Sequence, residues 1–326
     1  MKILMTGDFH SKKDEIHNKV ILEYLDYLEW YYFENDIDIL SVNGDVFHHS
    51  TNIKNENFTP LFLKFLQMKE KGVRFIFTPG NHDITNVNKD SIIETFSSFG
   101  DVYKEATTLE IDGKKVVFAP YTKRKDEVPT EGDFLITHLA ISDFEFNDFK
   151  KTDTTNAFPV SYFENFIRVF SGHFHKYQEK YNISYIGAPF QMKRDEEGHK
   201  KGFMVLDVGN EIWEYIEYDK APVYKKITEK DFEQLDKLNL ENTYVVVEAS
   251  SKIKDFSKLR YILFSKGAID IIPVFHSEID NQQIELSSNS NSMSIEEIVE
   301  ESIKEEETEL NNDKLIETFR KIKAEV

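Results

Sequence analysis

The sequence predicts an α/β protein: a four-layer α/β/β/α sandwich, a small α+β capping domain after it, and a C-terminal helical tail. Three observations point there. Strand and helix patterns alternate over the first 140 residues, hairpin signals take over from Leu109 onward, and a polar linker separates a last pair of amphipathic stripes from the rest. Alternating strands and helices imply a largely parallel sheet with helices packed on it, and the later hairpins imply a second sheet against the first, with helices outside.

Residues 2–6 read as a short strand and 7–13 as a loop. Val20, Ile21, Tyr24, Leu25, Leu28, Tyr31 and Tyr32 recur at helical spacing, so residues 14–35 form a helix. Residues 38–43 and 74–78 are apolar strands, with a helix over 58–71 between them. Strands 109–111 and 116–119 flank Asp112-Gly113, a dipeptide suited to the positive-φ positions of a tight hairpin. Short strands follow at 134–137, 168–171 and 184–186, and 203–207 pairs with 211–217 around Gly209-Asn210; all are assigned to the second sheet. A strand at 244–248, a helix at 256–266 and a strand at 268–275 make a β-α-β unit. The boundaries expected are 1–224 for the sandwich, 225–285 for the capping domain, 286–293 for a flexible linker and 294–326 for the tail. The linker contains Ser-Ser-Asn-Ser-Asn-Ser. In the tail, Ser294 and Glu297 fit a capping box. Ile295, Ile298, Val299 and Ile303 form one apolar stripe, and Leu315, Ile316, Phe319, Ile322 and Val326 a second.

The chain has 326 residues, 40% apolar, with 27 Phe and 15 Tyr, the composition of an ordered globular protein. The absence of cysteine excludes disulfides and thiolate metal sites. The start, MKILMTGDFH, lacks the apolar core of a signal peptide, and no long uncharged apolar run follows. The expectation is a soluble protein of the cytoplasm. A net charge of −19 counts against nucleic-acid binding, which ordinarily needs a basic footprint. Residues 291–326 alone hold 11 Asp/Glu against 5 Lys/Arg, however, and bound cations would offset acidity at a site.

Five segments repeat one arrangement, a strand running into a loop that begins with metal-ligand residue types. They are Gly7-Asp8-Phe9-His10, Gly44-Asp45-Val46-Phe47-His48, Gly80-Asn81-His82-Asp83, Thr137-His138 and Gly172-His173-Phe174-His175. Loops at the carboxyl ends of strands are where sites assemble in α/β sheets, and glycine lets the chain turn sharply there. Alone, each residue has a bland explanation: an Asp caps a turn, Asn81 sits in one, a His decorates a surface. The recurrence argues otherwise, because six of the ten histidines fall inside these segments. Two cations roughly 3.5–4 Å apart clamp the attacking and leaving oxygens of a phosphate. A bridging carboxylate offsets their repulsion, and imidazoles with an amide oxygen complete the shells without adding charge. Such ligation suits Mn, Fe or Zn better than Mg or Ca.

D-x-H, GD, GNHD, a His after a strand and GH-x-H, in this order, resemble the fingerprint of calcineurin-like metallophosphoesterases from residue 1 to about 190. The resemblance implies a metallophosphoesterase sandwich. It implies that Asp8, His10, Asp45 and His175 hold one metal and Asp45, Asn81, His138 and His173 the other, with Asp45 as bridge. His82 would be no ligand; it would stabilise transition-state charge or protonate the leaving oxygen. GDVFHHS at 44–50 further resembles the GD-[ILV]-FH signature of SbcD and MRE-type recombination nucleases, which implies that His48 positions the scissile phosphate for exonuclease action. Residues 185–191, Tyr-Ile-Gly-Ala-Pro-Phe-Gln, resemble the YxGSP segment of that group, with Ala188 in place of the usual Ser. After D-x-H the family often has Gly or Leu-Gly, where this chain has Ser11-Lys12.

The same resemblance implies partners and cofactors: DNA as substrate for exonuclease and endonuclease cleavage, two divalent ions (Mn2+ foremost), and a homodimer built from helices near GD and GNHD. It also implies that the tail helices bind an SbcC-type ABC ATPase, for which two apolar stripes suit docking in a groove. A helical pair folding back on the capping domain competes with that use. A stand-alone phosphoesterase acting on a phosphoprotein, cyclic nucleotide or small metabolite is the alternative, favoured by the net charge. The FH after GD, the capping unit and the tethered tail favour the nuclease. Lys123, Arg124, Lys125, Lys193 and Arg194 flank the predicted site loops and are candidate contacts to a nucleic-acid backbone. The intact ligand set argues against a non-catalytic scaffold.

Overall fold

The computed structural model describes residues 1–85, 90–147, 150, 151, 157–249, 253 and 255–275. The linker and helical tail expected beyond residue 285 lie outside the described residues. Strands β1 (Lys2–Thr6), β2 (Ile39–Asn43), β3 (Phe75–Thr78) and β4 (Gly100–Val102) run parallel, and helices α1 (Glu15–Glu34) and α2 (Asn55–Glu70) connect the first three. Helix α1 begins where Asp14 accepts a hydrogen bond from His17 N at 3.0 Å, satisfying one of the donors left over at a helix start. It buries Val20, Ile21, Tyr24, Leu25, Leu28 and Tyr32, the stripe its spacing predicts, while Tyr31 is partly buried against the same core.

A second sheet follows. Strands β5 (Thr107–Ile111) and β6 (Lys114–Ala119) form a hairpin in which Asp112 and Gly113 take φ values of 49° and 74°. Two adjacent left-handed residues are what the tight hairpin turn requires. After β7 (Phe134–Thr137) comes a small hairpin of β8 (Glu145–Asn147) and β9 (Lys150–Lys151), then β10 (Arg168–Ser171), β11 (Gln178–Lys180) and β12 (Ile183–Tyr185). The sheet order is β11-β12-β10-β7-β6-β5, with β6, β7, β10 and β12 parallel. Strands β13 (Gly202–Asp207) and β14 (Ile212–Glu217) depart from the sequence expectation. They join the first sheet, in the order β14-β13-β1-β2-β3-β4, with β13 antiparallel to β1. That pairing covers the edge of β1, whose backbone groups would otherwise stay unpaired.

The layers follow from period-two alternation along the strands. Ile3, Met5, Ile39 and Ile76 of the first sheet meet Val116, Phe118, Phe134, Ile136 and Phe170 of the second. The alternate residues Leu4, Leu40, Val42, Phe75 and Phe77 face the helices. Beyond the second sheet, Val117, Leu135 and Val169 pack against Phe144, Phe158, Phe163 and Phe166. This outer layer is thus built from an aromatic-rich connection with a 3-10 turn at Val160–Phe163.

A three-stranded parallel sheet, β15 (Val223–Thr228), β16 (Thr243–Ala249) and β17 (Ala268–Phe275), carries helix α3 (Phe256–Ser265). Leu240, Val245, Val247, Leu259 and Leu263 form its core. The expected β-α-β unit is present with one added strand. The sequence of β15, Val-Tyr-Lys-Lys-Ile-Thr, hides it behind paired lysines, which are common on edge strands.

Candidate active site

Parallel strands bring their carboxyl ends to one edge, so Asp8, Asp45 and Asn81 enter the same cleft from β1, β2 and β3. The loops are zipped by backbone bonds: Asp8 N donates to Gly44 O, His10 N to Asp45 O and Ser11 N to Val46 O, each at 2.9 Å. His48 N returns to Ser11 O at 3.0 Å. Ser11, where the family often has glycine, takes part in this pairing through its backbone N–H and carbonyl.

Four of the expected ligands sit in strained backbone. Asp8, His10, Asp45 and His173 have φ of 52°, 47°, 53° and 91°, a region that costs a non-glycine residue about 1–3 kcal/mol and clusters at functional sites. The zipped loops hold them there. Gly80 serves the site by its size. A Cβ on it would fall on the Asp45 carboxylate and backbone nitrogen. Gly80→Ala is expected to lower stability by about 1–3 kcal/mol, the usual cost of forcing an extra carbon into a packed site. Urea denaturation checks this, and an unchanged midpoint would contradict it.

The seven expected ligands fall into two groups joined by Asp45. His10 Nε2 lies 3.0 Å from His175 Nε2, 3.5 Å from Asp45 Oδ2 and 3.9 Å from Asp8 Oδ1. On the other side, His138 Nε2 lies 3.3 Å from Asp45 Oδ2 and 3.2 Å from Asn81 Oδ1, which is 2.7 Å from His173 Nδ1. Atoms about 2.0–2.2 Å from one ion lie roughly 2.8–3.6 Å from each other; the separations of 3.0, 3.5, 3.3 and 3.2 Å fall in that range, and those of 3.9 and 2.7 Å lie just outside it, so small side-chain shifts would let each group hold a metal. The chemistry fits as well. Asp8 and Asp45 are 1% and 2% exposed, and buried carboxylates need compensating positive charge.

Burial pushes the Asp8 carboxyl up. Burial would do the same to Asp45, but His138 and His10 beside it hold its carboxyl well below the usual range. Burial opposes charge on His138, yet Asp45 and Asp8 raise it to about 9. Burial and neighbouring His138 push His173 down to about 3, and burial with His175 drives His10 well below its ordinary value. Asp45 and Asp8 thus favour a charged His138, and metal binding would oppose this, because a ligating imidazole is neutral.

Surrounding groups fix the rings. His138 Nδ1 donates to Asn43 O at 2.7 Å, which turns Nε2 into the cleft. His82 N donates to Asp45 Oδ1 at 2.8 Å and its Nδ1 to His48 O at 2.7 Å. The His82 and His48 rings stack with centroids 5.6 Å apart, and His82 stands edge-on to His10 at 4.8 Å. Burial first, then His49, His82, Lys12 and Lys193, lowers His48 from its ordinary value. Of the other basic candidates, Arg124 is paired with Asp126 at 2.7 Å.

Sequence reasoning missed three contributors. Asp83 is buried; its Oδ1 accepts from Val46 N at 3.1 Å and Phe47 N at 3.3 Å, and its Oδ2 from Gly80 N at 2.9 Å. It ties the second loop to the third, and its place as the last residue of GNHD was the available signal. Glu196 and Lys201 gave none, since both lie in a charged run that reads as surface. Both are 5% exposed and reach His175.

Residues 1–186 match the calcineurin-like phosphoesterase family. Exonuclease subunit 1 of Enterobacteria phage T4 is 24% identical over 311 residues, which span 88% of this chain and 89% of that protein. It supports the resemblance to recombination nucleases. Among solved structures, an archaeal phosphodiesterase aligns with a TM-score of 0.36 at 10% identity, over 67% of this chain and 100% of that one. Nuclease MPE of Pseudomonas putida aligns with a TM-score of 0.29 at 19% identity, over 54% and 62%. Members of such a family use divalent metals, and the clustered His and Asp side chains provide for them. The family match takes in all five segments and more than half of the chain, which belongs to the calcineurin-like phosphoesterases.

Proposed function

We propose that this chain is the nuclease subunit of an SbcCD-like DNA repair and recombination complex, cleaving DNA phosphodiesters with two Mn2+ ions. The observation that carries the reading is the likeness to a phage exonuclease subunit, which continues past the phosphoesterase core through most of the chain. Asp8, His10, Asp45 and His175 hold one ion, and Asp45, Asn81, His138 and His173 the other. The bound ions would clamp the attacking and leaving oxygens and offset the charge of the phosphate. His82, held by its bond to His48 O, stabilises transition-state charge or gives a proton to the leaving oxygen. His48 aligns the scissile phosphate, with Lys12 and Lys193 drawing the DNA backbone towards it.

Residues 1–224 are the catalytic domain and 225–285 cap it over the DNA. Residues 294–326 dock, through the linker at 286–293, on an ABC-type ATPase that controls cleavage. A homodimer forms through helices near the second and third segments; Leu63, 56% exposed on α2, is an apolar side chain such an interface would cover. Among the described residues no helix is long and apolar enough to cross a membrane.

Purified protein with Mn2+ and end-labelled linear duplex or circular single-stranded DNA tests the reading. Both substrates should be cut, whereas turnover of a phosphopeptide or cyclic nucleotide alone would favour the stand-alone phosphoesterase. His48→Ala is expected to slow duplex exonuclease by about 10²-fold, the usual cost of misplacing a reacting group, and single-strand cleavage much less. Equal losses would remove the positioning role of His48.

A further inference from the structure

We infer that Glu196 is a positioning residue that fixes the ring of His175, acting through a buried two-point grip completed by Lys201. The inference rests on the metal-binding reading above. Glu196 Oε1 is 3.2 Å from His175 Nδ1. Its Oε2 accepts from Lys201 Nζ and from Met192 N, each at 2.9 Å. Lys201 Nζ also donates to His175 O at 2.9 Å. The carboxylate therefore holds the far nitrogen of the ring while the ammonium holds the backbone of the same residue.

Such a pair is an expensive way to fill space. Two charges have been taken out of water at 5% exposure each, and apolar residues of like volume are commonly as stable. The arrangement gains its purpose from His175. A carboxylate accepts, so Nδ1 carries the proton, and the lone pair of Nε2 is turned towards His10 Nε2 at 3.0 Å. Fixing the tautomer and orientation of a ligating imidazole in this way, with a negative charge behind the ring, makes it a better ligand. The turn carrying Glu196 is seated from its outer side by β15. Gln191 Oε1 accepts from Tyr224 N at 2.7 Å, and Glu197 Oε2 accepts from Lys226 N at 2.9 Å.

Mn2+ titration of full-length wild type and Glu196→Gln, by calorimetry and electron paramagnetic resonance, tests the inference. The glutamine keeps the volume but loses the charge, and its oxygen is drawn to the donors Lys201 Nζ and Met192 N, which turns its NH2 group towards His175 Nδ1. One of the two sites is expected to weaken by about 10–100-fold, the usual effect of removing such a partner, while the other keeps its affinity. Cleavage should recover as Mn2+ is raised. Unchanged affinity at both sites, or an equal fall at both with a lower melting temperature of the metal-free protein, would overturn it. Should the glutamine variant not fold, Glu196→Asp shortens the reach by one methylene and keeps the charge. The same one-sided loss is expected, and two wild-type sites would overturn the inference. Failure of the underlying reading looks different: wild type itself would bind fewer than two ions, or His175→Ala would leave both sites intact.

Discussion

Asp45→Asn is expected to reduce phosphodiester cleavage by about a thousandfold or more and to leave the protein with fewer than two bound metals. Asp45 stands between the two groups of side chains, with Oδ2 3.5 Å from His10 Nε2 and 3.3 Å from His138 Nε2. Asparagine preserves the shape but removes the charge that, in the proposed site, would make two close cations tolerable. A metal ion contributes several kcal/mol of transition-state stabilisation, and each 1.36 kcal/mol is tenfold in rate. The backbone should survive, because the left-handed conformation at this position is one that asparagine also tolerates. Metal content by plasma mass spectrometry and initial rates on single-stranded DNA decide the matter. Two metals and a rate within tenfold of wild type would remove Asp45 from its bridging place.

His82→Ala should be nearly as damaging and for a different reason. Its ring lies beside His10 and His48, and its backbone nitrogen rather than its ring contacts Asp45. A loss of about 10²–10⁴-fold is expected for a group that moves or shares a proton in the transition state, with both metals retained. A substrate with a good leaving group, such as a p-nitrophenyl diester, separates the two roles. If His82 protonates the leaving oxygen, the loss shrinks on that substrate; if it stabilises charge on phosphorus, the loss persists. Release of a metal from His82→Ala would show that the ring is a ligand.

Much of this was legible in the sequence because it is written in local patterns. The apolar spacing of α1, the Asp112-Gly113 turn and the strand-to-loop position of all five segments follow from short-range rules. What escaped depends on long-range placement. Nothing in the 202–217 hairpin says which sheet it joins; only the bare edge of β1 decides that. Strand β15 is masked by Lys225 and Lys226, which read as loop until a partner strand is known. Glu196 and Lys201 look like solvated charges, and only their burial against His175 gives them meaning. The left-handed backbone at Asp8 and His10 is hardly legible in a one-dimensional reading, because Asp and His are enriched in that region yet adopt it only in a minority of cases.

The most direct measurement is the anomalous diffraction of crystals soaked in Mn2+, recorded at the manganese edge. Two peaks are expected, about 3.5–4 Å apart, on either side of the Asp45 carboxylate. One would be bounded by Asp8, His10 and His175, the other by Asn81, His138 and His173. A single peak, or a peak held by His10, His48 and His82 instead, would contradict that arrangement.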